Sequence, residues 1–211
     1  MTADDLTAAL APRLSADAAA WLDAQKEKIA AGEERALYLG FGLAPRKVGK
    51  AELNDERFPG WSVDQAARVA LLLAFPTDDD HRWLVAFDKL ADAAEVREQV
   101  ALYRALPLLP FPHELADRAA EGLRTNVKGV FEAIAHDNPF PLHHFNDARW
   151  NQMVLKALFI GSSLGPIVGL RERMNQDLHL MLRDYAAERR AAGRDVPADL
   201  TDLLADKSSG G

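Results

Sequence analysis

The chain of 211 residues contains no cysteine. That excludes disulfides, thiolate metal sites and cysteine nucleophiles, and it is compatible with a reducing compartment. Long apolar runs are missing as well, since no stretch approaches the roughly 18 apolar residues that a membrane-spanning helix needs. The opening Met1-Thr2-Ala3-Asp4-Asp5 lacks the basic start and apolar core of a signal peptide, so the expected location is the cytoplasm. Positive charge is in deficit: 25 Lys and Arg stand against 32 Asp and Glu, a formal net charge of −7. A polyanion such as nucleic acid would meet long-range repulsion and is not an expected partner. Catalytic signatures are also lacking, with no Ser-His-Asp arrangement, dinucleotide fingerprint or paired carboxylates to single out. Gly161-Ser162-Ser163-Leu164-Gly165-Pro166 is glycine-rich. It follows a helical pattern instead of a strand, and Pro166 has no N–H to offer, so it reads as a helix C-cap and turn, not a phosphate cradle. No cofactor is expected, and enzyme status is unsupported.

What is present is a helical pattern with clear punctuation. In residues 63–75, Val63, Ala66, Ala67, Ala70, Leu71, Leu73 and Ala74 recur at helical spacing, and Ser62 with Gln65 forms a capping box in front of them. Pro76 stops that helix; Thr77 and the carboxylates of residues 78–80 start the next, which runs to about Leu90. Asp92 with Glu95 repeats the start signal, and Pro107 ends the third segment. Connections this short place consecutive helices side by side in antiparallel hairpins. The same grammar predicts helices from Ser15 to Gly32, from Glu33 to Gly42, and at about 113–122, 126–137, 147–160, 175–192 and 198–205. The expected fold is all-α, either stacked hairpins of the HEAT or armadillo kind or an irregular helical bundle. It is organised as one domain over residues 1–205, with an N-terminal hairpin (1–42), an irregular connection (43–60) and a main stack (61–205), and residues 206–211 are expected to be a frayed tail.

Polar chemistry concentrates in residues 124–156. On a continuous helix Arg124, Lys128, Glu132 and His136 share one stripe, which is either a solvated face with ion pairs or a row that binds an anion or a sugar. His136, His143, His144 and Asp147 supply zinc-type or iron-type donors, but their spacing matches no metal motif, and Asn138, Asn146 and Asp147 serve equally well as helix-terminal groups. No metal is assigned. Lys156 lies inside the apolar run Met153-Val154-Leu155-Lys156-Ala157-Leu158. Its ammonium must either snorkel to water or meet a carboxylate in a pocket. In the late helix, Arg173 with Asp177 reads as surface charge pairing.

Three blocks resemble a known family. Ala101-Leu102-Tyr103-Arg104-Ala105-Leu106-Pro107-Leu108-Leu109-Pro110, then Phe131-Glu132-Ala133-Ile134-Ala135-His136-Asp137-Asn138-Pro139-Phe140-Pro141, and above all Trp150-Asn151-Gln152-Met153-Val154-Leu155-Lys156-Ala157-Leu158-Phe159-Ile160-Gly161 are similar to the EboA family of bacterial proteins. The resemblance spans about residues 95–195. It implies a small helical protein encoded beside biosynthetic proteins, including a prenyltransferase-like membrane protein, in operons for a cyclitol-like or related secondary metabolite. Expected partners are therefore proteins of the same operon and a small-molecule metabolite. The expected role is a non-catalytic scaffold or binding protein; the alternative is an enzyme acting on a sugar, cyclitol or prenylated intermediate through a Lys, His and Glu pocket. The resemblance brings no catalytic residues with it. Positions whose chemistry exceeds what packing needs are Tyr103, Arg104, Glu132, His136, Asn138, Asn151, Gln152 and Lys156, which join Arg124 and Lys128 as candidate ligand-binding residues.

Overall fold

The computed structural model describes residues 2–205, so the expected frayed tail at 206–211 lies outside the described residues. Among the described residues there are twelve α-helices and two short 3-10 turns, and the only extended pairing is an isolated bridge between Glu52 and Ser62. The fold is all-α. It divides into two compact units, Met1–Leu115 and Ala116–Gly211.

The first unit holds α1 (Ala3–Leu10), α2 (Ala16–Ala30), α3 (Glu34–Lys47), α4 (Val63–Leu73), α5 (Asp80–Ala93) and α6 (Val96–Arg104). The capping box before α4 forms, with Gln65 Oε1 accepting the Ser62 N–H at 3.2 Å. Helix α4 is packed by α1, α2, α3 and α6 and is buried nearly all round, which its almost unbroken apolar sequence requires. Two punctuation marks work differently from expectation. The cap of α5 is Asp79, which accepts from Arg82 N at 2.9 Å, and not Thr77. Asp92 lies in the last turn of α5, and the start signal for α6 is Glu95 paired with Glu98. A carboxylate at the N-cap outranks a Thr hydroxyl two residues earlier, which explains the first displacement.

Helix α3 overruns the expected stop at Gly42 and continues through Pro45 to Lys47. Proline has no N–H, so the carbonyl of Phe41, four residues earlier, loses its helical donor. The guanidinium of Arg68 on α4 replaces it: Arg68 Nε donates to Phe41 O at 3.0 Å. The same guanidinium pairs with Asp64 at 2.5 Å and approaches Glu98 at 3.5 Å, and both Arg68 and Asp64 are buried. A proline that would have ended an isolated helix is tolerated because a neighbouring side chain supplies the missing donor.

The boundary between the units falls within α7 (Pro112–Gly122). The second unit continues with α8 (Lys128–Ala135), α9 (Phe140–His144), α10 (Asp147–Phe159), α11 (Gln176–Ala191) and α12 (Ala198–Ala205). Its core gathers Phe131, Ile134, Phe140, Trp150, Val154 and Leu178, each almost fully shielded from solvent. Burying one side chain of this size contributes roughly 1.5–3 kcal/mol. Helix α10 turns Trp150, Met153, Val154, Ala157 and Leu158 into this core, while Phe159 at its end is exposed and stands edge-on to Tyr185.

Residues 160–175 are irregular yet anchored. Gly161 takes φ +66° after α10, and Ser162 N donates back to Ala157 O at 2.8 Å, the closing bond of a Schellman cap. Further along, Leu164, Ile167 and Leu170 turn inward. Asp199 on α12 accepts from Leu164 N at 2.7 Å and from Ser163 Oγ at 3.1 Å. Arg173 is not paired with Asp177 as expected. It precedes α11, so the four-residue helical spacing does not apply, and it donates instead to the carbonyls of Pro141, Leu142 and Phe145 and to Asp147 at 2.8 Å, lying over the Trp150 ring.

Candidate binding cleft

The candidate residues fall into separate groups. Tyr103 and Arg104 belong to the first unit; Tyr103 is buried, and Arg104 donates to Gly60 O and Gln65 Oε1, which fastens the 49–62 connection to α6. Asn138 and Asn151 are structural. Asn138 donates to Ala133 O and accepts from Phe140 N, bridging α8 and α9. Asn151 exchanges two hydrogen bonds with Asn175, at 2.8 and 3.1 Å, and Asn175 caps α11. Buried amides are retained only where both ends find partners, and these do.

The expected stripe Arg124, Lys128, Glu132 and His136 does not lie on one helix. Arg124 sits in the turn after α7, and His136 is the extended C-cap of α8. Lys128, Glu132 and His136 instead form a cluster around Ser162, which its sequence context marked only as part of a helix-ending turn. Its hydroxyl donates to Glu132 Oε1 at 2.8 Å and lies 3.1 Å from His136 Nε2. Lys128 Nζ donates to Gly161 O at 2.7 Å and lies 3.6 Å from Glu132. The resemblance to a Ser-His-Glu triad stops at the hydrogens. His136 Nε2 is 2.9 Å from Ser163 O, which can only accept, so that nitrogen carries its hydrogen and cannot take one from Ser162. The cluster ties α8 to the α10–α11 connection.

The metal-type donors are likewise engaged elsewhere. Asp147 accepts from Arg173, and His136 faces Ser163. Among the described residues no group of three or more His, Asp or Glu is gathered in a way that would hold a metal ion.

Three candidates do share a cavity. Arg124, Gln152 and Lys156 line an open cleft of about 390 Å³, together with Asp117, Glu121, Arg149 and the apolar Ala120, Leu123 and Met153. One wall is the C-terminal part of α7 and the turn after it; the other is one face of α10. Asp117 and Glu121 project from one side of α7 because they are four residues apart, and Arg149, Gln152, Met153 and Lys156 line one side of α10 for the same reason. Each arginine is matched to a carboxylate: Arg149 to Asp117, and Arg124 Nη1 to Glu121 at 3.2 Å.

Lys156 meets neither water alone nor a carboxylate. Its Nζ donates to Leu123 O at 2.5 Å and Thr125 O at 2.8 Å, carbonyls of the turn that follows α7. Burial lowers its pKa below the ordinary lysine value. Replacing Lys156 with methionine strands both carbonyls and is expected to destabilise the protein by about 1–3 kcal/mol in urea unfolding. The pH dependence has a definite sign. A depressed folded-state pKa means the unfolded chain holds the proton longer, so Lys156 adds stability as pH rises from the lowered value toward 10.5. The gap between wild type and Lys156→Met therefore widens over that alkaline window, and a gap that narrows there contradicts the assignment.

Among the described residues the geometry is that of an all-helical protein with an open, charge-lined cleft. A family model described as metabolite traffic protein EboA matches residues 2–205, and the chain belongs to that family. The match covers residues 2–94 as well as the blocks between residues 95 and 195 that carry the resemblance in the sequence. No curated protein and no solved structure matches the chain. Among the described residues no helix is long and apolar enough to cross a membrane.

Proposed function

We propose that the protein is a non-catalytic binding protein that holds a small-molecule metabolite in the cleft between α7 and α10, in support of a bacterial secondary-metabolite pathway whose product is cyclitol-like or prenylated. The observation that carries this reading is the cleft itself, where donors, acceptors and an apolar floor converge within a volume typical of small-ligand sites. The description of the family as metabolite traffic proteins agrees with it. The competing enzymatic reading needs Lys156, His136 and Glu132 at one centre. Lys156 stands in the cleft with two of its hydrogens on backbone carbonyls, whereas His136 and Glu132 are engaged around Ser162.

The test fills the cleft without touching the core. Gln152 is exposed on the α10 wall, so Gln152→Trp places an indole in the opening and leaves the fold intact. Wild-type protein purified from its host, or incubated with a host metabolite extract, is expected to retain a small molecule detectable by mass spectrometry after denaturation, and Gln152→Trp is expected to lose at least about nine-tenths of it, the tenfold change that 1.4 kcal/mol produces. Equal retention by both proteins, or retention by neither, counts against the cleft.

A further inference from the structure

We infer that the cleft takes a small amphiphilic anion, a single carboxylate or phosphate head on an apolar body, and that the head takes the place of Asp117 on Arg149. This rests on the cleft being a binding site and adds the chemistry of what it binds. Three cations, Arg124, Arg149 and Lys156, face the opening against two carboxylates, Asp117 and Glu121, which leaves the lining net positive on a chain whose formal charge is −7. The carboxylate partners are poorly placed to keep their arginines. The Asp117 side chain is 82% exposed and that of Glu121 60%, and ion pairs in such positions contribute little because water screens them. A guanidinium offers a planar fork that carboxylate and phosphate oxygens fit in pairs, so a ligand head that also leaves bulk water on entering the cleft competes well for Arg149.

The remaining lining sets the rest of the ligand. Lys156 spends two of its three hydrogens on Leu123 O and Thr125 O and has one left for a head group. Leu123 and Met153 are buried side chains whose edges reach the cleft, and with Ala120 they give an apolar strip beside the charges. A ligand of high negative charge is disfavoured, because the displaced Asp117 and the neighbouring Glu121 stay within the same walls and repel it. One anionic head with an apolar body satisfies each of these constraints.

Isothermal titration calorimetry on the full chain provides the test, with octanoate and octyl phosphate as probes below their micelle-forming concentrations. Octyl glucoside carries the same body on a neutral head, and inorganic phosphate is a head with no body. At least one of the two anionic amphiphiles is expected to bind at least about tenfold more tightly than octyl glucoside and than inorganic phosphate, and which one it is identifies the head. Arg149→Gln is expected to weaken that binding about tenfold, the loss of one charge-assisted contact. Asp117→Asn should move the other way and strengthen it several-fold, because it removes the group competing for Arg149. A merely structural role for the Arg149–Asp117 pair predicts that both substitutions act in the same direction. The inference is overturned if neither anion binds, if octyl glucoside binds as well as they do, or if Asp117→Asn weakens them. Octyl glucoside binding that Gln152→Trp abolishes would overturn the anionic head while leaving the cleft as a binding site. If no probe binds and the metabolite extract is not retained either, the site itself is lost.

Discussion

Replacing Arg68 with methionine is expected to destabilise the first unit by about 3–5 kcal/mol, the range found when one partner of a buried ion pair is removed and the other is left behind. Asp64 and Arg68 are both buried, one turn apart on a helix that other helices surround. Without the guanidinium, the Asp64 carboxylate keeps only the Ser62 hydroxyl at 2.6 Å as a side-chain donor. The double variant Asp64→Leu with Arg68→Met removes the stranded charge and is expected to be more stable than Arg68→Met alone, since an apolar pair of similar volume often matches a buried ion pair. Urea unfolding, with hydrogen exchange localising the loss to α4 and α6, measures both. A double variant worse than the single one would mean that the pair is not the source of the cost.

The second large effect is expected at Trp150, which lies wholly inside the second unit, with the guanidinium of Arg173 4.8 Å above its ring. Trp150→Ala removes the largest side chain of that core, and such truncations cost about 3–5 kcal/mol from lost burial plus the cavity left behind. The damage should spread in a particular direction. Arg173 rests on the indole while it holds the carbonyls of Pro141, Leu142 and Phe145, so amide protection should fall in α9 and in residues 160–175 as well as in α10. Loss confined to α10 would show that the stacking of Arg173 on the ring does not position it.

Most of the helices were legible in the sequence because capping residues, proline and apolar spacing are local signals. Helix α4 was readable from Ser62, Gln65 and its apolar run, and the observed element begins and ends within two residues of that reading. What escaped depends on contacts far apart in sequence. The continuation of α3 through Pro45 needs Arg68, 23 residues away, and nothing near Pro45 announces it. The buried pair itself left a trace, since Asp64 and Arg68 stand at i,i+4 inside a helix whose other faces are apolar, and a charge in such a run calls for a partner.

The candidate site was legible only in part. Arg124, Gln152 and Lys156 share the cleft, and Lys156 was marked by its place among apolar residues. Asp117 and Arg149 were missed because single charged residues on exposed helices carry no signal until the fold brings two helices together. The stripe Arg124, Lys128, Glu132 and His136 failed for the converse reason. Its four-residue spacing has meaning only on an unbroken helix, and α8 is too short to carry all four. The buried asparagines drew attention by their polarity and proved to be joints of the fold, which is the commoner fate of an amide in a core.

The service that Arg68 gives to the carbonyl of Phe41 makes positions 45 and 68 a case of epistasis between residues on different helices. Proline at 45 creates a vacancy for a donor, and arginine at 68 fills it. With alanine at 45 the helix would supply its own N–H, and arginine at 68 would answer to Asp64 and Glu98. The fitness of either residue is thus conditional on the identity of the other, and a scan of single substitutions would score the two as independent when the helix treats them as one choice.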